Sequence, residues 1–204
     1  MGLFKKAVKT DEDGIVLACE YDHPDSYKCI FLATYRNLDF KVNWVDPSVF
    51  EDKTNLALEL TNSDQYPIVY DGDFTISGGP AVLTFLNIKG GSPSIHPRKA
   101  RMLAQQQYWL QILNQKVEPF IFDLSEYEDQ IQSVMSLFDE QLENKDYVIN
   151  EFSLADIYWY SIFKYLEMKG HERVYRDYKN IEIWRDHVKQ KAPAFEEYSR
   201  QDAA

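Results

Sequence analysis

The spacing of apolar residues changes character halfway along this chain. Ile15-Val16-Leu17-Ala18-Cys19 is a short unbroken apolar run, suited to a buried strand. Pro24 punctuates the segment that follows, and Asp25 or Ser26 is a candidate cap for a helix running to about Tyr35. Cys29, Ile30, Leu32 and Ala33 are available for burial on that helix, and Asn37 is its expected stop. Phe40, Val42 and Trp44 then alternate with Lys41 and Asn43, the period of a half-buried strand. Pro47-Ser48 opens a second helical stretch carrying Leu56, Leu58 and Leu60. A strand, helix, strand order implies a parallel pair joined by a right-handed crossover. Tyr66–Tyr70 and Asp73–Ile76 flank Asp71-Gly72 and predict a β-hairpin. Ser77-Gly78-Gly79-Pro80 leads into a helix through Ala81–Leu86, with proline at the first turn, where its missing N–H has no partner to lose. The first half therefore reads β-α-β-α-β-β-α.

Gly90, Gly91, Ser92, Pro93 and Pro97 mark residues 89–97 as a linker. Everything beyond it has helical period. Met102, Trp109, Ile112, Leu113 and Val117 predict a helix from Arg98 to about Phe122, with Pro119 near its end. Ile131, Val134, Met135, Phe138 and Leu142 predict a second over about 126–142. A third is expected from Ser153 to about Met168, stopped at Gly170, and a fourth from about Asn180 to Lys191, before Pro193. The expected organisation is an α/β domain over 1–88, the linker, and an all-helical domain over 98–204.

Composition narrows the function classes. The 204 residues are 45% hydrophobic and include 14 Tyr, 12 Phe and 4 Trp, enough to build a core and too aromatic for a disordered chain. A net charge of −11 repels phosphate backbones, so direct nucleic-acid binding is not expected. Cys19 and Cys29 form no CxxC pair and no Cys/His cluster has metal-ligand spacing. A disulfide between them stays open at this level, although sparse cysteine suits a reducing compartment. Residues 1–9 are partly basic but lead into no apolar stretch, and no run of about 18 apolar residues occurs. The expectation is a cytoplasmic protein without a membrane partner.

Two segments carry a family resemblance. Tyr66-Pro67-Ile68-Val69-Tyr70-Asp71-Gly72-Asp73-Phe74-Thr75-Ile76 resembles the "VPxLxDGDxxL" segment of the glutathione transferase superfamily, whose proline is cis. Phe152-Ser153-Leu154-Ala155-Asp156-Ile157 resembles that family's "hydrophobic-[ST]-x-A-D-I" motif, which also reads as a capping box with a hydrophobic staple. The order and spacing of both fit from about Ile15 to Phe195. The resemblance implies a thioredoxin-like first domain, a helical second domain and a two-fold homodimer. Its ligands would be glutathione or a related thiol and a small hydrophobic co-substrate.

The resemblance also locates the chemistry. A glutathione site needs a donor near the thiol to raise its thiolate fraction, backbone groups to align the peptide, and a helix N-terminus for the carboxylate. The backbone role falls to Tyr66, before Pro67. The donor, Ser or Cys in many classes, matches the stretch His23-Pro24-Asp25-Ser26. His23 stands at the usual Ser or Cys, where a neutral ring would accept the thiol proton or a cation stabilise the thiolate. The alternative reading is a solvent-exposed loop histidine. Ser26 is the other hydroxyl there and fits a helix cap. Tyr21, near the end of the first strand, is a second donor candidate. Cys19 reads as buried rather than reactive. Gly78-Gly79 replaces the Glu/Gln-Ser pair that binds the γ-glutamyl end, leaving backbone and the helix N-terminus.

Two functions follow. One is a transferase-like protein with an atypical glutathione site and weak transferase or thiol chemistry. The other is a non-catalytic member acting through protein contacts, like the stringent starvation protein A family, which resembles this chain in architecture and binds RNA polymerase. That family keeps the Glu-Ser pair, so Gly78-Gly79 departs from it too.

Overall fold

The computed structural model describes residues 14–21, 23–45, 57, 61 and 63–198. The chain divides into two compact units. One comprises Met1–Ser92 together with Ala194–Ala204; the other is Pro93–Pro193.

The first unit is built on a four-stranded sheet. β1 (Ile15–Glu20), β2 (Phe40–Val45), β3 (Ile68–Asp71) and β4 (Phe74–Ser77) lie in the order β2-β1-β3-β4. β2 runs parallel to β1, with Leu17 opposite Val42. β3 is antiparallel to β1, with Leu17 opposite Val69, and β4 is antiparallel to β3. Being central, β1 is almost wholly buried, which is why it shows no alternation in the sequence. The Asp71-Gly72 hairpin is present: Asp71 pairs with Phe74, and Gly72 takes φ 63° in the turn. The second helical stretch expected over about 47–60 lies outside the described residues, apart from Ala57.

α1 (Pro24–Tyr35) and α2 (Gly79–Lys89) pack on one another in this unit. Asp25 or Ser26 was the expected cap of α1; the cap is His23, and Pro24 opens the helix. The reason is local. A residue before proline is driven to extended backbone, and His23 has φ −123° and ψ 128°. Proline at the first helical position then fixes the start, so Asp25 and Ser26 fall inside the first turn. Cys29–Ala33 are fully buried.

The last helical turn, α7 (Phe195–Tyr198), belongs to this first unit. Phe195 is fully buried, with ring centroids 6.3 Å from Tyr27 and 5.1 Å from Phe31 of α1. Tyr198 stacks on Phe40 of β2 at 5.5 Å. Residues 194–198 thus group with the α/β unit rather than with the helical domain expected over 98–204; one buried ring in a short turn leaves no periodic signal.

The second unit contains α3 (Ala100–Lys116), α4 (Leu124–Leu142), α5 (Leu154–Met168) and α6 (Lys179–Lys189). The helix expected to reach Phe122 stops at Lys116, and a 3₁₀ segment covers Glu118–Asp123. Pro119 cannot donate to an α-helical ladder, and Val117 has already left helical backbone at φ −124°. Trp109, Phe138, Trp159, Phe163 and Trp184 form the aromatic core, with Phe138 stacked on Trp159 at 3.9 Å. α5 is buried from Leu154 to Leu166, as an all-round apolar helix requires.

Its start is held by the capping box. Asp156 accepts from the Ser153 N–H at 2.9 Å and the Ser153 hydroxyl at 3.1 Å. The same carboxylate accepts from the Val148 N–H and from Trp184 Nε1–H, both at 2.9 Å. It therefore ties α5 to the preceding loop and to α6. Among the described residues no helix is long and apolar enough to cross a membrane.

Candidate functional site

A cleft of about 470 Å³ opens at the C-terminal end of β1, beside the first turns of α1 and α2. Glu20, His23, Asp25, Gln65 and Tyr66 line it, with Pro80 on the α2 side. Position follows from topology: strand β1 ends there, α1 begins there, and the chain re-enters there at Tyr66 on its way into β3. The Tyr66–Pro67 peptide bond is cis. The Pro67 carbonyl accepts from the Gly78 N–H at 2.9 Å, which fastens the entrance of β3 to the entrance of α2. Tyr66 is buried, and burial together with the nearby Glu20 raises its hydroxyl pKa, so it stays a neutral phenol.

His23 is held by its own capping role. Nδ1 accepts from the Asp25 N–H at 3.3 Å. A nitrogen that accepts carries no proton, so the neutral ring has its hydrogen on Nε2. The capped ring is therefore a hydrogen-bond donor through Nε2, and Nδ1 is occupied. With Nδ1 engaged in the cap, Nε2 is the atom through which the ring can meet a ligand.

The other candidates separate. Tyr21 is about one-third exposed and stacks on Trp44 at 4.7 Å with 14° between the rings; it is not among the described residues lining the cleft. Ser26 is fully buried, and its hydroxyl neither caps α1 nor lines the cleft. Cys19 and Cys29 are free and fully buried. Burial pushes the Cys19 thiol up to about 12 and the Cys29 thiol well above its ordinary value, so neither supplies a thiolate near neutral pH.

The two glycines have different reasons. Gly78 sits at φ 91° as the N-cap of α2, backbone that disfavours any side chain. At Gly79 the reason is a neighbour: a Cβ there would stand 2.7 Å from Asp25 Oδ2 and 2.8 Å from its Cγ. The Asp25 carboxylate occupies the room that a residue-79 side chain would take. It also pairs with Lys28 Nζ at 2.8 Å, on a side chain only 2% exposed. Sequence reasoning missed Asp25 in this role, as well as Glu20 and Gln65. The "HPDS" stretch marks the place, but nothing in the sequence brings residue 25 against residue 79.

Away from this cleft, Phe74, Ile76, Phe85 and Ile88 line an apolar groove of about 380 Å³ on β4 and α2. Phe74 and Phe85 stack at 5.0 Å, and Ile88 is 70% exposed.

Residues 123–191 match the family model described as glutathione S-transferase, C-terminal domain. Among solved structures, the chain is similar to glutathione S-transferase III in its apo form, at 19% identity and a TM-score of 0.76, covering 94% of this chain and 98% of that one. It is similar to poplar glutathione transferase F1 at 14% identity and a TM-score of 0.78, covering 94% and 100%. It is also similar to Ure2p in complex with glutathione, at 15% identity and a TM-score of 0.74, covering 92% and 93%. No curated protein matches it in sequence. The fold is that of the glutathione transferases, as the two sequence motifs indicated: a thioredoxin-like unit followed by helices.

Proposed function

We propose that this chain of glutathione transferase fold is a cytoplasmic thiol-binding protein, with an altered glutathione site in the β1–α1–α2 cleft. The observation that carries the reading is His23, which lines the cleft with its Nδ1 accepting from the Asp25 N–H, leaving Nε2 as the ring's donor atom. A ligand's cysteinyl backbone would pair with the main chain of Tyr66, before Pro67. Its sulfur would then receive a hydrogen bond from His23 Nε2. A donor to sulfur stabilises the thiolate over the thiol and lowers the thiol pKa. The proton leaves to solvent, and the thiolate attacks an electrophilic carbon of a small apolar co-substrate, forming a C–S bond as the leaving group departs with the bonding pair. Activity is expected to be weak, because Gly78 and Gly79 offer no side chain to a ligand.

Calorimetric titration with glutathione, alongside the ultraviolet absorbance of bound thiolate, tests this. Wild type is expected to bind in the millimolar range. His23→Ala should raise the pKa of the bound thiol by about one unit and slow transfer by about tenfold to a hundredfold. His23→Gln, which keeps a side-chain donor, should recover part of the loss. An unchanged thiol pKa in His23→Ala would remove His23 from the donor role.

The apolar groove favours a second reading, in which the fold acts through protein contacts. The occupant would be a second copy, as the resemblance implies, or a larger partner such as RNA polymerase. If a second copy covers it, Ile88→Glu should halve the mass seen by sedimentation equilibrium at micromolar concentration. A dimer that persists in Ile88→Glu would place the contact elsewhere.

A further inference from the structure

The cleft carries a charge pattern that sets what it accepts. Glu20, Asp25 and Asp64 line it, and no lysine or arginine does so among the described residues. Glu20 is buried at the cleft wall. Among the described residues no three acidic, histidine or cysteine side chains are arranged to hold a metal ion. The start of α2, where a helix would favour a ligand's carboxylate, already has one beside it. Asp25 supplies that group from within the chain, against Gly79, and it pairs with Lys28. Lys28 is fully buried, so its charge is directed at Asp25 rather than at the cleft.

We propose that Asp25 is the specificity determinant of the cleft, and that the preferred ligand is a thiol whose end at α2 is a cationic amine without a neighbouring carboxylate. The inference rests on the thiol-site reading above and names its substrate class. An ammonium group there meets Asp25 with favourable sign, in a cleft whose other charged lining residues, Glu20 and Asp64, are also acidic. A γ-glutamyl carboxylate meets a filled seat and a like charge.

Two ligands differing in one group test it on the unaltered protein. Glutathione carries the carboxylate. 4-Aminobutanoyl-cysteinyl-glycine keeps the ammonium, the thiol and the glycine end but lacks it. Calorimetry should show the second binding at least about tenfold tighter, the effect of one unfavourable charge contact in a partly screened site. Asp25→Asn removes the internal charge and leaves the Lys28 ammonium near the start of α2, so the preference should shrink or invert. Asp25→Asn removes the Asp25 charge from beside the buried Lys28 ammonium, so Asp25→Asn/Lys28→Met serves as the variant with the pair removed together. Its preference should also shrink. Equal or tighter binding of glutathione by wild type overturns the inference and leaves the thiol site standing. An unchanged preference in both folded variants overturns the assignment to Asp25. Absence of binding by either ligand, to wild type and variants alike at several millimolar, overturns the thiol site and this inference with it.

Discussion

Asp156→Ala should lower the stability of the helical unit by about 3–5 kcal/mol, because it strands several buried donors at once. The Val148 and Ser153 N–H groups and the Trp184 indole N–H all lose their acceptor, and each hydrogen bond is at most 2.9 Å long in the intact protein. The unit is also held by its stacked aromatic core, so the variant should stay folded at low temperature and chemical denaturation measures the loss. A loss below about 1 kcal/mol would mean that water replaces the carboxylate. The same group has a pH signature. Burial raises its pKa from 3.8 to about 6. Between those values the folded chain keeps a proton that the unfolded chain has released. The part of the stability linked to this protonation is therefore fully present below about pH 4 and lost as pH rises through about 6, while the carboxylate keeps its hydrogen bonds above that. Asp156→Asn removes that titration, so stability against pH over this window should fall less steeply in the variant than in wild type.

The second large effect lies in the other unit. Phe195→Ala should cost about 3–5 kcal/mol, the usual range for deleting a buried ring from a core that closes only partly around the gap. The ring is fully buried against Tyr27 and Phe31, so the loss should concentrate on α1. Hydrogen exchange reads this directly: amides of α1 should lose protection while those of α5 keep theirs. Unaltered protection in α1 would show that the helix stands without the returning ring. Phe195→Leu, which keeps most of the apolar volume, should lose a smaller share.

How much of this was readable in advance depends on the range of the interaction. Strands β1 and β2, the Asp71-Gly72 hairpin and the helices announce themselves by period and by turn chemistry, which are properties of neighbouring residues. The Ser153/Asp156 box is equally local, and its pattern alone predicts the cap of α5. The third role of Asp156, as acceptor for Trp184 on α6, is not local and leaves no pattern. The cap of α1 was within reach, because Pro24 dictates extended backbone at residue 23; the preference of Ser and Asp for caps drew the reading two or three positions too far along. The Gly78-Gly79 pair was visible as missing side chains. Its causes were not, since a hydrogen bond to Pro67 and the volume of Asp25 both depend on how distant segments meet. His23 could be named from the sequence, whereas the fixing of its tautomer required the geometry of the cap.

The return of Phe195 to the α/β unit has a consequence for biosynthesis. A ribosome adds roughly 5–20 residues per second, so about a hundred residues of intervening helical unit separate the two parts of the first core by about 5–20 s. During that interval the face of α1 formed by Tyr27 and Phe31 has emerged without the ring that covers it. It is an apolar surface of the kind that holdase chaperones bind on nascent chains. The unit begun first is then completed only after the whole helical unit has been made.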